Sequence, residues 1–414
     1  MDYSRLVPMD TFMGRFLSYM QSQETADVYD WWTGLWCISA AARRQTWVDR
    51  PRAPVYLNMF VVLVGESGVT RKTTSVATAT RLVRHVLATR SDCGLIDAKV
   101  TPEKLDATLH ERTLEHGTAQ LCIAVPELAV FMGTERYIAH MPVLLTDLYD
   151  CPTARNGGGT LLRGAVVQRD VWVHLLSAST PIWLLKTVNP NVIEGGFTSR
   201  CYFIPADTPK KRIAWPVEQD TTLYTDLCYD LDIIANEART HGPLLMDRDA
   251  LVAFSHWYEN RTHSLDPFRQ SFEAREDAHV LRVAALLCIN DGSWIVQAHH
   301  IDASITLMLV VKQQSGRVFE SAESRSKFAI GFDAVRSHLI GSGMDPVSRS
   351  RLYMRVRSHM DHAEFLALIE VLHELGAIQR FEYKEGRGRP RDLIRGTQLL
   401  LSGGLGDAVL SRFT

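Results

Sequence analysis

Apolar residues recur along this chain with two spacings, and the switch between them marks its elements. In the first fifty or so positions, "MDTFMGRFLSYMQ" and "ADVYDWWTGLWCISAAARR" place them three and four apart, which predicts two helices. The apolar piece "WWTGLWCISAAA" is far short of a membrane span and runs into Arg43-Arg44, so a buried helix is expected. Short apolar, β-branched runs then alternate with helical stretches: "VYLNMFVVLV", "CGLIDA", "AQLCIAV", "DVWVHLLSAS" and "SRCYFIPA". Five such runs separated by helices predict a parallel α/β sheet. Within this region "TPEKLDATLHERTLE" carries its own start signal, with Thr101 as cap and Pro102 in the first turn.

From about 217 to 328 the spacing is helical throughout, in "LYTDLCYDLDIIANEA", "DRDALVAFSHWYENR", "DAHVLRVAALLCI" and "HHIDASITLMLVVKQQSGRVFESA". A smaller unit begins near 329. "FDAVRSHLIG", "VSRSRLYMRVRSH" and "HAEFLALIEVLHELGAI" read as three short helices, and "QRFEYKEGRGRPRDLIRG" as two strands around a basic Gly-rich turn. Three helices and a two-stranded wing predict a winged helix. The expected division is 1–54 helical, 55–216 an α/β core, 217–328 a helical lid and 329–414 the winged helix.

Composition narrows the setting. At 414 residues and 46% hydrophobic content, the chain can bury a large core spread over two to three domains. Its formal net charge of -2 requires any nucleic-acid contact to come from local basic patches. The seven Cys are scattered without a C-x-x-C pair, which predicts neither a disulfide framework nor a zinc site. A reducing, cytoplasmic setting follows, with no signal peptide and no membrane partner expected. His299-His300 are adjacent at a helix start and point in different directions, with no matching carboxylate cluster, so they read as polar helix-start residues.

The candidate chemistry lies in "VVLVGESGVTRKTTSVATATRLV". A strand ends at Gly65 and a helix opens at Lys72-Thr73. This is the layout in which backbone N–H groups cradle phosphate, a Lys neutralises it and a hydroxyl holds Mg²⁺. The usual spacing is G-x-x-x-x-G-K-[ST]. Here the interval from Gly65 to Lys72 is one residue longer, and Arg71 replaces the second Gly. Two cations in a row at a helix N-terminus oppose the macrodipole unless an anion sits between them, which favours phosphate. The candidate set is Gly65, Glu66, Ser67, Gly68, Val69, Thr70, Arg71, Lys72, Thr73 and Thr74. Thr73 is the candidate Mg²⁺ ligand, with the longer loop leaving Thr74 open as the alternative.

An ATPase core needs two further strand ends. "LCIAVPEL" supplies Glu127 to polarise water, but Pro126 precedes it where an acidic Mg²⁺ ligand is usual. "VWVHLLSASTP" ends in Ser177, Ser179 and Thr180, of which Ser179 is the candidate to contact the γ-phosphate or the attacking water. Small hydroxyls at a strand end also cap helices.

The ordered set "YLNMFVVLVGESGVTRKTT", "VPELAVFM", "LTDLYDCP", "LLSASTPIWL" and "EGGFTSRCYFI" resembles a family of P-loop ATPases carried by phages, plasmids and other mobile elements. These are often described as replicative helicases or the helicase part of primase-helicases. The resemblance covers roughly residues 20 to 395, and it implies a loop with an Arg-Lys variant. It also implies an AAA+ or RecA-like core related to superfamily 3 and MCM-like helicases, which form hexameric rings with ATP between subunits. In those relatives an Arg in a Ser-Arg step acts on the neighbour's γ-phosphate, and Arg200 in "FTSR" matches it. Arg282 in "EAREDAHVLRVAALL" matches a lid residue at the nucleotide, with Arg275 competing for that role. "CPTARNGGGTLLRGAVVQRD" resembles the hairpin such rings project into their channel, with Arg155 and Arg163 on either side of a Gly157 to Gly159 tip.

The wing adds Lys384, Arg387, Arg389 and Arg391 as candidate DNA contacts, although winged helices also dock proteins. The expected function is an ATP- and Mg²⁺-dependent DNA helicase or translocase of a phage or mobile element. Its partners would be single-stranded or forked DNA and further copies of itself, up to a hexamer. Priming would need a separate primase or other replication proteins. The alternative is an ATP-dependent DNA-binding switch or loader that assembles without unwinding.

Overall fold

The computed structural model describes residues 3, 6–51, 53–132, 140–157, 166–187, 196–215, 218–261, 264, 267–343, 345–357, 360–383 and 391–401. The chain forms two compact units, Met1–Gly316 and Arg317–Thr414.

The first unit opens with α1 (Phe12–Met20) and α2 (Asp27–Ala42). The buried helix expected from the Trp-rich stretch is α2, which sinks Trp31, Trp32 and Trp36 into the core and packs against the helix Lys72–Leu87. A small antiparallel pair, β1 (Trp47–Val48) and β2 (Val55–Tyr56), leads to β3 (Phe60–Val64), every residue of which is buried. Then follow α3 (Lys72–Leu87), β4 (Cys93–Ile96), α4 (Pro102–His116) and β5 (Gln120–Val125). Thr101 caps α4 through Lys104 N at 3.3 Å and Pro102 takes its first turn, as the sequence predicts. Gly117 ends the same helix at φ +74°, a conformation that disfavours a side chain.

Next come α5 (Leu128–Met132), α6 (His140–Tyr149), the antiparallel hairpin β6 (Ala154–Gly157) and β7 (Val166–Arg169), and β8 (Trp172–Ser179). The core closes with α7 (Pro181–Thr187) and β9 (Cys201–Pro205).

Five strands form one fully parallel sheet in the order β4-β5-β8-β3-β9, one from each of the five apolar runs of the sequence, the first of which also supplies β2 to the separate pair. The P-loop α/β class is therefore the observed one. Strand β8 lies between β3 and β5, pairing Val64 with Ser179 on one side and Val125 with Ser177 on the other. The order brings the carboxyl ends of three strands side by side, at the edge where open parallel sheets hold ligands.

The helical remainder of this unit is α8 (Thr221–His241), β10 (Leu245–Met246), α9 (Arg248–Glu259), α10 (Pro267–Glu273), α11 (Glu276–Asn290), β11 (Ile295–Val296) and the start of α12 (Ala298–Gly341). In the second unit the end of α12 supplies Phe332, Val335 and Leu339 to a separate core. The rest of that unit is β12 (Val347–Ser348), α13 (Arg349–Val356), α14 (His362–Glu374), β13 (Ile378–Tyr383) and β14 (Arg391–Gly396). A capping box closes the start of α14, with Asp361 and Glu364 each taking the other's backbone N–H. The three strands pair antiparallel in the order β12-β14-β13: β13 and β14 are the two strands expected for the wing, and β12 is a third, short strand that the sequence reading placed within a helical stretch. No helix among the described residues is long and apolar enough to cross a membrane.

Candidate nucleotide site

At the carboxyl edge of the sheet is a cleft of about 310 Å³. Ser67, Gly68, Arg71, Lys72 and Thr73 line one side, and Pro126, Glu127, Ser179 and Trp183 are among those lining the other. Three separately chosen sequence candidates, the loop, Glu127 and Ser179, thus share one space.

The loop is held tightly at its start and is open at its tip. Tyr29 on α2 donates its hydroxyl to the Val64 carbonyl at 2.5 Å and lies 3.3 Å from Thr70 Oγ1. A Cβ on Gly65 would stand 2.6 Å from Tyr29 Oη and 2.8 Å from both Ala206 O and Thr70 Oγ1. Gly65 is therefore required by close packing, and Thr70 serves as a buried strut. Gly68, at φ +76°, has open space where a Cβ would be. Arg71 stands where the usual loop has its second Gly, and it adopts the left-handed conformation itself, φ 50° and ψ 39°. The position keeps the backbone shape of glycine and adds a guanidinium, which also pairs with Glu24 at 3.3 Å.

Lys72 Nζ donates to Gly65 O at 2.6 Å and to Glu66 O at 2.9 Å. Burial lowers its pKa, against the opposing pull of Glu66, so its charge is only partly compensated. A phosphate would restore that compensation. Of the two candidate metal ligands, Thr73 is exposed and lines the cleft, whereas Thr74 is half-buried and is not among the lining residues.

Across the cleft the three hydroxyls of "SAST" separate by partner. Ser177 donates to Val125 O at 2.9 Å and ties two strands together. Thr180 Oγ1 accepts from Trp183 N at 3.3 Å and caps α7. Ser179 is the serine of this stretch that faces the cleft. Glu127 is exposed there, and its carbonyl accepts from Val130 and Phe131 at the start of α5. Trp183 was not among the sequence candidates. Nothing in the spacing distinguishes it from a core residue, and only the turn at Thr180 brings it to the rim.

The candidate arginines lie elsewhere. Arg200 immediately precedes β9, at the amino edge of the sheet, and its side chain is 8% exposed. Its Nη2 donates to Asp150 Oδ2 and its Nη1 to Gly196 O, both at 2.9 Å. Arg275 donates to the same carboxylate, Nη1 to Oδ1 at 2.7 Å. Burial works to raise the Asp150 pKa, but hydrogen bonds and charge from Arg200 and Arg275 outweigh it and hold the carboxyl below its ordinary value. Arg282 is buried beside them, donating from Nε to Tyr56 O at 2.8 Å with its guanidinium 4.5 Å from the centre of the Tyr149 ring. Within this chain Arg282 is not a lining residue of the cleft. It borders a second depression, of about 520 Å³, together with Arg50, Tyr56, Tyr149, Asp150 and Arg275.

The two strands of the hairpin pair, its tip beyond Gly157 lying outside the described residues, and Arg155 turns back to α4, donating to Asp106 Oδ1 at 2.7 Å and to Gln168 Oε1 at 3.0 Å. Arg163 lies outside the described residues, as do Lys384, Arg387 and Arg389 and the side chain of Arg391. His299 and His300 gain a carboxylate that spacing did not reveal, since Asp291 at the end of α11 lies 3.8 and 3.3 Å from them. His300 Nδ1 accepts from Gln297 N at 2.9 Å, so Nε2 carries the proton that faces Asp291. The trio caps a helix start, and it places a proton where a metal would need a lone pair.

No family model and no curated protein matches this chain. Among solved structures it is similar to the Aeropyrum pernix ORC1 protein in complex with DNA, at 13% identity and a TM-score of 0.23 over 86% of each chain. It is also similar to the Aeropyrum pernix ORC2 protein in ADPNP-ADP complexes, at 14% identity and a TM-score of 0.26, over 86% of this chain and 88% of that one. Likenesses this weak assign no residue and no activity, so the reading of the site rests on its own geometry.

Proposed function

We propose that this chain is an ATP-hydrolysing P-loop enzyme that works on DNA, as a ring-forming helicase or translocase of a phage or mobile element. One observation carries the ATPase reading. Lys72 and the left-handed Arg71 stand at the N-terminus of α3, facing Glu127 and Ser179 across a cleft of about 310 Å³. Two cations at a positive helix end are stabilised by a polyanion bound between them. In this reading Lys72 and the loop amides hold the phosphates, and Thr73 holds Mg²⁺. Glu127 orients the attacking water and Ser179 contacts the γ-phosphate. Arg200 acts on the nucleotide of a second copy, and Arg282 contributes from the helical region.

DNA contact would come from Arg155 and Arg163 on the hairpin and from Lys384, Arg387, Arg389 and Arg391 on the wing. The second reading, a switch or loader that assembles on ATP without unwinding, is favoured by Pro126. That residue precedes Glu127 in "LCIAVPEL", where an acidic Mg²⁺ ligand is usual. The test is steady-state ATP hydrolysis by the unaltered chain and Lys72→Ala, with and without single-stranded DNA, beside unwinding of a forked duplex. DNA-stimulated hydrolysis with strand separation supports the motor. ATP-dependent DNA binding at background turnover supports the switch, and nucleotide-independent behaviour sinks both.

A further inference from the structure

Arg200 presents a problem for any role on a second subunit, because inside its own chain it has nothing to offer. Its side chain is 8% exposed, Nη2 is committed to Asp150 and Nη1 to Gly196 O, and Nε is buried without a hydrogen-bond partner. The segment that carries it is pinned as well. His279 on α11 contacts Ser199 O through Nε2 at 2.8 Å, and Gly196, at φ +76°, leaves only 2.8 Å between a would-be Cβ and Arg200 Nη1.

The clasp has an unusual stoichiometry, with one carboxylate serving two guanidiniums. Arg275 takes Asp150 Oδ1 at 2.7 Å and Oδ2 at 3.3 Å, while Arg200 takes Oδ2 at 2.9 Å. Losing a partner normally strands a charge, and that is the main cost of breaking a buried pair. Here Asp150 keeps Arg275 when Arg200 departs, and Arg200 leaves as a cation able to pair with phosphate.

Resting on the reading that Arg200 acts on a second copy, we infer that Asp150 is a positioning residue that sheathes Arg200 within its own subunit. Arg275 takes over the carboxylate when Arg200 swings out to the neighbour's nucleotide. The isolated subunit is thereby held inactive, and assembly competes directly with an internal ion pair.

The test uses two full-length chains. Lys72→Ala loses its own site but retains Arg200, and Arg200→Ala retains its site but lacks the arm, so mixing them restores hydrolysis only if Arg200 works between chains. Asp150→Ala, and separately Asp150→Asn, is then added to the Lys72→Ala donor alone. The donor concentration for half-maximal rescue is expected to fall about fivefold, the coupling of one partly exposed ion pair, with KM for ATP unchanged. Arg275→Ala in the donor should shift it the opposite way, because Asp150 then holds Arg200 alone. Rescue that occurs with an unchanged half-maximal concentration in both Asp150 variants, each folded by thermal melt, overturns the sheath and leaves the Arg200 role intact. If Arg200→Ala hydrolyses ATP as well as the unaltered chain, the underlying reading fails, and the sheath fails with it.

Discussion

Lys72 donates from Nζ to the carbonyl oxygen of Gly65 at 2.6 Å, so the cation of the loop bridges back to the strand end from which the loop departs. Phosphate oxygens would draw the same ammonium into the cleft. Lys72→Ala should lower turnover by about 10²-fold, as loss of one preorganised charge donor does, while leaving the melting temperature close to the parent. Fluorescent-nucleotide titration and a phosphate-release assay on both chains check it. Undiminished turnover would remove the loop from the mechanism.

Arg71 occupies a left-handed conformation that costs a non-glycine residue about 1 kcal/mol. Arg71→Gly should relieve that strain, with the gain partly offset by a looser unfolded chain. It should also bind ATP more weakly, because a guanidinium lining the cleft is gone. Denaturation midpoints and ATP titration on one variant test both halves. Unchanged affinity would reduce Arg71 to a backbone role.

Thr73 and Thr74 are adjacent, but only Thr73 lines the cleft. Thr73→Ala should raise the Mg²⁺ concentration needed for half-maximal hydrolysis, whereas Thr74→Ala should leave it in place. Magnesium titrations at saturating ATP separate the two, and a shift confined to Thr74→Ala would reassign the ligand.

His174 and His279 are both buried, and burial pushes each from the ordinary 6.5 down to about 3, with Arg282 adding to the effect at His279. Because these folded-state values are depressed, the stability they confer is complete above pH 6.5. It is lost progressively as pH falls toward 3. His279→Gln should therefore reduce the steepness of acid destabilisation between pH 6 and 4 by about 1.4 kcal/mol per pH unit. Urea midpoints at several pH values measure it. Parallel curves would mean that His279 is protonated in the fold.

On the wing, replacing Lys384, Arg387, Arg389 and Arg391 together with Ala should weaken single-stranded DNA binding. It should also lower the slope of log affinity against log salt by about 3. Fluorescence anisotropy across a salt series reads both. An unchanged slope would make the second unit a protein-docking module.

Much of the core was legible because parallel strands buried on both faces must be continuous apolar runs, and each of the five runs supplied one strand of the sheet. The meeting of the loop, Glu127 and Ser179 was legible for the same reason, since each follows such a run. Asp150 was not, because its importance depends on Arg200 and Arg275, which are 50 and 125 positions away on other elements. The direction of Arg155 was hidden similarly. A basic residue beside glycines reads as solvated until Asp106 on α4 is placed against it. At Arg71 the departure from the usual motif was visible, but the retained left-handed backbone was not.

Tyr29 reaches from α2 to the last carbonyl of β3 and to Thr70. A chain cut to begin at residue 55 would keep every motif and lose the floor on which the loop stands. The smallest portable engine in this protein therefore starts upstream of its recognisable signature, and grafting the signature alone would transplant the letters without the bearing that lets them turn.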